Sequence, residues 1–269
     1  MMLFTLVKAG CVATLSEIRD AFQLRLLTCL YRGSEGTSLV LKGGAAMRVL
    51  TASGRYTQDL DFDHDPRRSL ASLQKTIRSA IARALRGSGL LNASASEPKQ
   101  TDTVARWKIS GRTSAGDDLN LTVEVSRRGA PDLSHVVKVP VELSDRTLPR
   151  VYVSVYDEQA LADNKLAALL DARRTAPRDI YDLEVLLARG ICPSAAAVEQ
   201  AGEPAVLMRR ASEKLDLMGW PLFRDQVLPA LPREVQAHMD EDEYLATKLR
   251  LLEGLERCLA SGASTEHGS

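Results

Sequence analysis

The chain has 269 residues, of which 45% are hydrophobic and 26% are charged, a composition typical of a globular protein. This length fits one large domain or two modest ones. The 35 basic and 35 acidic residues balance, so net charge gives no support for a nucleic-acid or membrane partner, and only local charge clusters are informative.

The cysteines and the apolar segments indicate the cellular compartment of the protein. The cysteines are far apart and form neither a CxxC pair nor a cluster with histidine, which argues against a zinc site or a disulfide framework. A reducing cytosol suits such cysteines. No apolar run approaches the roughly 18 residues of a membrane helix, and the first 20 residues lack the basic start and long apolar centre of a signal peptide. We therefore expect a cytoplasmic protein with no membrane partner. The four cysteines are Cys11, Cys29, Cys192 and Cys258.

The first half of the chain mixes helical and strand patterns. Apolar residues at helical spacing predict helices, and alternating patterns predict strands. Ser16 is the predicted cap of the first helix. The predicted helices are 16–32, 45–50 and 69–86, and the predicted strands are 38–42, 59–63, 103–112, 118–128 and 150–157.

From Asp157 onward the hydrophobic spacing is helical, apart from one stretch interrupted by prolines. The tail from about residue 260 is predicted to be disordered. The layout predicts an α+β domain over residues 1–155, followed by a helical domain over residues 156–269. The predicted helices are 157–174, 177–189, 194–215 and 241–260.

Gly43 and Gly44 lie between the first predicted strand and the helix that follows it. Paired glycines let backbone N–H groups approach a phosphate, and the start of the helix adds partial positive charge. A tight turn that binds nothing is the alternative explanation. A P-loop is excluded, because no GxxxxGK[ST] motif occurs in the chain.

Three aspartates alternate along the next strand. Asp59, Asp61 and Asp63 must share one face, while Leu60 and Phe62 point to the core. Such close charges repel by roughly 1 kcal/mol per pair in water, so the strand faces solvent or a cation lies among them. Paired carboxylates suit Mg²⁺, which binds one or two of them together with substrate phosphates. A solvated edge strand is the alternative, but a preceding phosphate-binding turn favours the metal.

The segments KGGAAMRVL and GRYTQDLDFD resemble the polymerase-β-like nucleotidyltransferase superfamily, whose signature is a Gly-Gly or Gly-Ser turn followed by Asp-hydrophobic-Asp. More closely, residues 38–190 resemble the AbiEii/AbiGii toxin family, the toxin half of type IV toxin–antitoxin systems. The fourteen residues between Gly44 and Asp59 fit this family better than other branches. The resemblance implies an α+β nucleotidyltransferase fold, with a mixed twisted sheet flanked by helices, and then a helical C-terminal domain. The signature uses two aspartates, so Asp63 is peripheral.

The family usually has a third acidic residue on a later strand. In LNLTVEVS, alternate apolar residues define one face, and Glu124 lies on the other face with Thr122. The resemblance implies that Glu124 is a third metal ligand. An exposed strand glutamate is the alternative.

The segment NKLAALL, with RDIYDL further on, resembles the second conserved region of the family, although Asn164 stands where the family often has Asp. The resemblance implies that Lys165 contacts nucleotide phosphates and that Asp179 or Asp182 belongs to the catalytic centre. Two alternatives need no function. The lysine stem could lie along an apolar stripe, and an acid at Asp179 suits the first turn of a helix.

Residues 67–86 contain six cations and no acidic residue. Arg68, Lys75, Arg78 and Arg86 cluster on the side of the predicted helix opposite its apolar stripe. A surface helix normally mixes its charges, so this one is a candidate contact for the phosphate backbone of RNA. A merely basic solvent-exposed helix is the alternative.

Together these residues predict an Mg²⁺-dependent nucleotidyltransferase that uses NTP as co-substrate. Gly43 and Gly44 would bind the triphosphate, and Arg48 and Lys165 would neutralise it. The family resemblance implies transfer to the 3′ end of tRNA, a block of translation, and restraint by a cognate antitoxin. The alternatives are a small-molecule or protein acceptor, a non-catalytic binding module of the same fold, and a metal-dependent nuclease.

Overall fold

The computed structural model describes residues 13–33, 35–51, 54–143 and 148–265. Contacts within the chain separate two compact units, Met1–Ala52 with Tyr56–Tyr156, and Ser53–Arg55 with Asp157–Ser269. The predicted domains stay a prediction, because such contacts do not test independent folding. The expectations for the first twelve and last four residues lie outside the described part of the chain.

The first unit is built on a mixed sheet, as predicted. Within the described residues the sheet has seven strands in the order β3-β4-β5-β2-β1-β7-β6. The β1–β7 and β2–β5 pairs are parallel, and the other neighbouring pairs are antiparallel. The strands are β1 Val40–Lys42, β2 Asp59–Asp63, β3 Leu91–Gln100, β4 Val104–Arg112, β5 Asp118–Ser126, β6 Val136–Val141 and β7 Val151–Tyr156.

In the described part of this unit, three α-helices accompany the sheet: α1 Leu15–Tyr31, α2 Gly43–Leu50 and α3 Leu70–Arg86. The prediction that Ser16 caps α1 is wrong. The Thr14 hydroxyl accepts a hydrogen bond from the Glu17 N–H, and the Glu17 carboxylate accepts one from the Thr14 N–H. This reciprocal capping box starts the helix two residues earlier than a cap at Ser16 would allow.

The two faces of the sheet differ in chemistry. Leu60, Val123 and Trp107 lie side by side on β2, β5 and β4, and each is at most 1% exposed. The residues next to them along the strands point the other way and form what we call the polar face. The polar face comprises Asp59 and Asp61 of β2, Asn120, Thr122 and Glu124 of β5, Arg106, Lys108 and Ser110 of β4, and Ser94, Ser96 and Lys99 of β3.

Helix α3 packs on the apolar face. Arg78 of α3 donates hydrogen bonds to Glu97 of β3. Gln74 of α3 likewise donates one to Gln100 of β3. Gln100 pairs with Ala105 of β4, which shares the face of Trp107, so α3 lies on the side of the sheet opposite the polar face.

The strands β3 and β6 were not predicted. Both lie at the edges of the sheet, and β3 is a run of mainly small and polar, exposed residues without apolar alternation. Strand β6 contains Pro140, which an edge strand tolerates because one side of its backbone is unpaired. Strand β3 lacks the hydrophobic pattern by which a strand is recognised in a sequence, whereas β6 has alternating valines and was missed despite that signal.

The second unit is helical, as predicted. Its core includes Leu166, Leu183, Leu207 and Leu251, together with stacked Phe223 and Tyr244 rings 4.2 Å apart. Among the described residues, no helix has both the length and the apolar character needed to cross a membrane. The helices are α4 Glu158–Leu170, α5 Pro177–Ala188, α6 Ala195–Ala201, α7 Pro204–Leu217, α8 Trp220–Gln226, α9 Arg233–Gln236 and α10 Glu241–Thr265.

Two helix predictions in this unit are wrong. The single helix predicted over 194–215 is two helices, because Gly202 has a φ of +112° and Pro204 starts the next helix. The tail predicted to be disordered from about residue 260 is helical as far as Thr265, where α10 ends.

The expectation that the cysteines form no disulfide is also wrong. Cys192 and Cys258 are bonded, with Cα atoms 5.6 Å apart and a sequence separation of 66. The packing of α10 against α5 brings them together. It is close enough that a Cβ added at Gly254 would lie 3.0 Å from Leu187 Cβ. Sequence spacing alone could not reveal that contact.

Candidate active site

Gly43 brings the start of α2 close to Asp61. Its φ of +66° lies in the left-handed region, which costs free energy for any residue with a Cβ. A Cβ added there would lie 3.3 Å from the Asp61 Oδ2 atom. The approach follows from the sheet, because Lys42 at the end of β1 pairs with Asp61 of β2. Gly44, the next residue, is in the first turn of α2.

The N-terminus of α2 suits an anion. Lys42, the residue before the helix, makes no side-chain capping bond to it. The first N–H groups of a helix lack partners within the helix and carry partial positive charge. The turn at Gly43 and Gly44 therefore offers a phosphate site next to a carboxylate.

The aspartates of β2 lie as the sequence predicts. Leu60 and Phe62 are buried, and Asp59, Asp61 and Asp63 between them are partly exposed on the other face. The parallel pairing of β2 with β5 sets Asp61 opposite Glu124 and Asp59 opposite Thr122. The structure therefore brings all three predicted metal ligands, Asp59, Asp61 and Glu124, to one part of the polar face.

Asp63 has two bonding partners that the sequence did not reveal. Lys42 Nζ is 2.6 Å from Asp63 Oδ1, and the Tyr156 hydroxyl donates to Asp63 Oδ2 at 3.0 Å. Burial, and then the Asp63 charge, raise the pKa of Tyr156, so it stays a donor. The bonds to Lys42 and Tyr156 hold Asp63 within the fold, which favours its peripheral role.

Arg19 of α1 is a cation whose charge interacts with that of Asp59. Its side chain is buried, and its Nε donates to the Asn120 carbonyl at 3.1 Å. Burial lowers the pKa of Arg19, and the charge of Asp59 acts against that shift. The repulsion expected among the aspartates is thus relieved both by partial exposure and by neighbouring cations.

The carboxylates fit a divalent cation as a pair. Glu124 is bonded to Arg106, whose Nε lies 2.7 Å from Glu124 Oε2. In the described part of the chain, no three His, Cys, Asp or Glu side chains are grouped as a metal site. Asp59 and Asp61 supply the hard oxygen ligands that Mg²⁺ prefers, and the remaining ligands would come from phosphate and water.

Arg48 already has partners within the fold. It is buried, and its Nε and Nη2 atoms lie 3.1 and 3.0 Å from the two carboxylate oxygens of Asp20. Its guanidinium also lies 4.6 Å from the centre of the Tyr56 ring. This arrangement favours a structural role for Arg48 over the predicted contact with phosphate.

The second unit contains a buried network of charges, and the structure brings Lys165, Asp179 and Asp182 together in it. Lys165 Nζ is 2.9 Å from Asp179 Oδ1 and 2.6 Å from Asp182 Oδ2. Arg55 binds both oxygens of Asp182 at 3.0 Å, and Arg174 Nε is 2.7 Å from Asp179 Oδ2. Three cations therefore alternate with two carboxylates.

Burial and charge act against each other in this network. Burial opposes the ionisation of Asp182, but Arg55 and Lys165 outweigh it and lower the pKa of that carboxyl. The side chains of Asp179 and Asp182 are each only 1% exposed, so both depend on cations supplied by the chain.

Arg55 and Arg174 were missed by the sequence reasoning. Arg55 is the first residue of RYTQDLDF, a segment that resembles the family. The resemblance therefore indicated that Arg55 matters, but not that it binds Asp182.

The four predicted RNA-binding cations are all exposed, and three of them lie on α3 while Arg68 precedes it. However, Arg78 is paired with Glu97 at 2.6 Å, and Arg68 lies 4.0 Å from Glu35. Lys75 and Arg86 have no ion pair within the described residues. Because α3 covers the apolar face, these cations lie on the side of the sheet opposite Asp59 and Asp61.

The mixed sheet, the glycine turn and the paired aspartates together define a nucleotidyltransferase-type protein. The sequence profile described as "Nucleotidyl transferase AbiEii toxin, Type IV TA system" matches residues 25–259. The chain therefore belongs to the AbiEii nucleotidyltransferase toxin family, which confirms the resemblance seen in its motifs.

Solved structures agree on the fold. JHP933 from Helicobacter pylori is similar with a TM-score of 0.63 and 22% identity, over 96% of this chain and 99% of that one. A candidate nucleotidyltransferase from the same organism has a TM-score of 0.59 and 22% identity, over 93% and 98%. MenT4, a nucleotidyltransferase toxin from Mycobacterium tuberculosis H37Rv, has a TM-score of 0.47 at 18% identity, over 90% and 82%, too distant to support an inference. The search of curated proteins gave no significant match. The predicted nucleotidyltransferase fold with a helical C-terminal region is confirmed.

Proposed function

We propose that this protein transfers a nucleoside monophosphate from an NTP to an acceptor hydroxyl at the 3′ end of tRNA, and thereby blocks translation. The observation that carries the proposal is the Gly43 turn, which sets an uncapped helix N-terminus beside Asp61 while Asp59 shares the same face. A triphosphate needs both parts, an anion site and a carboxylate pair for its cation.

Asp59 and Asp61 would hold Mg²⁺, with Glu124 joining them only if it leaves Arg106. When bound, the ion would neutralise triphosphate charge and polarise the α-phosphate. The N–H groups of Gly43 and Gly44 would hold the triphosphate in place. The acceptor oxygen bonds to the α-phosphorus as the bond to the bridging oxygen breaks, and pyrophosphate leaves with that electron pair. The hydroxyl proton passes to a carboxylate of the aspartate pair.

The roles of Lys165, Asp179 and Asp182 rest on the family motif. In this proposal Lys165 contacts the nucleotide phosphates, and the two aspartates set the position of its ammonium group through the bonds that the structure shows. The substrates place the reaction in the cytoplasm. A cognate antitoxin would restrain it, as the type IV system of the family implies.

Substitution of the paired aspartates tests the proposal. We expect Asp59→Asn and Asp61→Asn to lower transfer of labelled NTP to RNA by about 10²- to 10³-fold, since each removes charge that is worth several kcal/mol at a reacting phosphate. Asp63→Asn is the matched control, because Asp63 lies on the same face of the same strand but is bonded to Lys42. Mass spectra of RNA 3′ ends after incubation with four NTPs provide the measurement.

The other outcomes are distinct. If the label appears on a small molecule or a protein and not on total RNA, that molecule and not tRNA is the acceptor. RNA that shortens would indicate a nuclease. Toxicity on expression that survives Asp59→Asn unchanged would favour a non-catalytic binding module.

A further inference from the structure

A cavity of about 390 Å³ opens on the polar face directly beside Asp59. Its walls include the hydroxyls of Ser96, Ser110 and Thr122 and the amide of Asn120. Small-molecule pockets are mostly apolar with a few polar groups, whereas hydroxyls and amides dominate here. Such a lining suits a ligand that is itself rich in hydroxyl and phosphate oxygens.

The cavity has opposite charges at its two ends. Asp59, Thr122 and Lys108 lie in one row across β2, β5 and β4. At about 4.8 Å per strand, the Lys108 backbone is roughly 10 Å from that of Asp59. Lys108 is exposed and has no ion pair among the residues described, whereas Arg106, two residues earlier on the same face, is paired with Glu124.

This polarity fixes how an acceptor would lie. A phosphate is attracted to Lys108 and repelled by Asp59, so it occupies the Lys108 end. A neutral hydroxyl is compatible with Asp59, which can accept its proton. A ligand with a phosphate at one end and a sugar hydroxyl at the other therefore fits in one direction only.

We propose that this cavity holds the terminal nucleotide of the RNA acceptor, with its phosphate at Lys108 and its ribose hydroxyls toward Asp59. The inference rests on the proposed function and deepens it. It also assigns recognition of the RNA end to the polar face, while the cations of α3 lie on the other side of the sheet. A longer RNA could contact both.

A charge-matched pair of variants tests the inference. Lys108→Gln and Lys99→Gln each remove one positive charge from the polar face. Lys99 lies on the neighbouring strand β3, opposite Arg106 and outside the cavity lining. The probe is a labelled single-stranded RNA oligonucleotide with a 3′-deoxy end, which binds but cannot be extended. We expect Lys108→Gln to weaken binding about 5- to 10-fold and to lower the salt slope by about 1, and Lys99→Gln to change affinity less than 2-fold.

Kinetics on extendable RNA provide the second measurement. Lys108→Gln should raise KM for RNA while KM for NTP stays unchanged, because Lys108 contacts only the acceptor. If the two variants bind and react alike, the cavity inference is overturned, while transfer by the native protein would still support the proposed function. If native protein transfers nothing to RNA but Lys108→Gln alone weakens binding, the cavity stands as an RNA site and the proposed reaction is wrong.

Discussion

The two acidic clusters of the molecule are stabilised in opposite ways. On the polar face of the first unit, Asp59 and Asp61 are partly exposed on an open strand. In the second unit, Asp179 and Asp182 are each 1% exposed and bonded directly to cations of the chain. The first pair is accessible to solvent, whereas the second is buried and neutralised by cations of the chain.

Because of this difference, we expect the first pair to matter mainly for ligand binding and the second mainly for the stability of the fold. Removing a partly exposed carboxylate relieves repulsion and costs the fold little, so its loss should show mainly in activity. Removing one member of a buried ion network leaves an unpaired charge without solvent, which costs much of the stability of a domain. Substitutions in the two regions should therefore have different signatures.

The largest expected effect on stability is at Arg55. Arg55→Met removes the cation that binds both oxygens of Asp182 and leaves that buried carboxylate with Lys165 alone. Breaking a buried pair in this way costs about 3–5 kcal/mol in the free energy of unfolding. Urea denaturation followed by circular dichroism measures it. If Arg55→Met does not fold, Arg55→Lys provides a second test, because it keeps the charge but cannot bind both carboxylate oxygens in the same way. Its free energy of unfolding should lie below that of the native protein by less than about 3–5 kcal/mol.

Arg189→Met is the control for this prediction. Arg189 pairs with Glu158 in the same unit, but its side chain is 41% exposed. A surface pair contributes at most about 1 kcal/mol. Equal losses for Arg55→Met and Arg189→Met would contradict the distinction between the buried network and the surface.

A smaller effect is expected at Gly43, on the polar-face side of the comparison. Gly43→Ala places a Cβ in the left-handed region and 3.3 Å from Asp61 Oδ2. The backbone conformation alone costs about 1–2 kcal/mol in the free energy of unfolding. Because the new methyl group crowds Asp61, we also expect transfer activity to fall.

Gly89→Ala separates these two causes. Gly89 has a φ of +69°, close to that of Gly43, but an added Cβ there meets no atom within 4 Å. It should therefore lose similar stability and keep full transfer activity. If Gly89→Ala impairs transfer as much as Gly43→Ala does, crowding of Asp61 is not the cause.

The sequence predicted the elements that have a strong pattern of their own. Strand β2 and helix α3 were recognisable because burial alternates along the first and recurs every three or four residues along the second. Strand β3 was missed because neighbours stabilise it at an edge, without an apolar pattern. The Cys192–Cys258 bond was missed because it depends on how α10 packs against α5.

The candidate site shows the same limit. The spacing of Asp59 and Asp61 fixes their common face, so that part was predictable. The partners were not, since Arg106 reaches Glu124 only through the register of β4 with β5, and Arg55 reaches Asp182 across 127 positions of sequence. The motif indicates which residues matter, whereas the pairing of charges requires the three-dimensional structure.

The pH dependence of stability gives the smallest and most specific test of the buried network. The pKa of Asp182 is lower in the folded protein than the value of about 3.9 of an unfolded chain. Its contribution is therefore complete above about pH 4 and is lost as the pH falls toward the folded pKa. One such group changes the free energy of unfolding by at most about 1.4 kcal/mol per pH unit.

Arg55 lowers the pKa of Asp182, so Arg55→Lys, which holds the carboxylate less well, should raise that pKa toward its unfolded value. The acid loss should then be smaller and should end at a higher pH. Arg189→Met should leave it where it is, because Arg189 does not contact the network. Urea midpoints measured between pH 3 and pH 6 compare the two variants. If stability falls with decreasing pH in the same way in both variants, Asp182 does not depend on Arg55 for its charge.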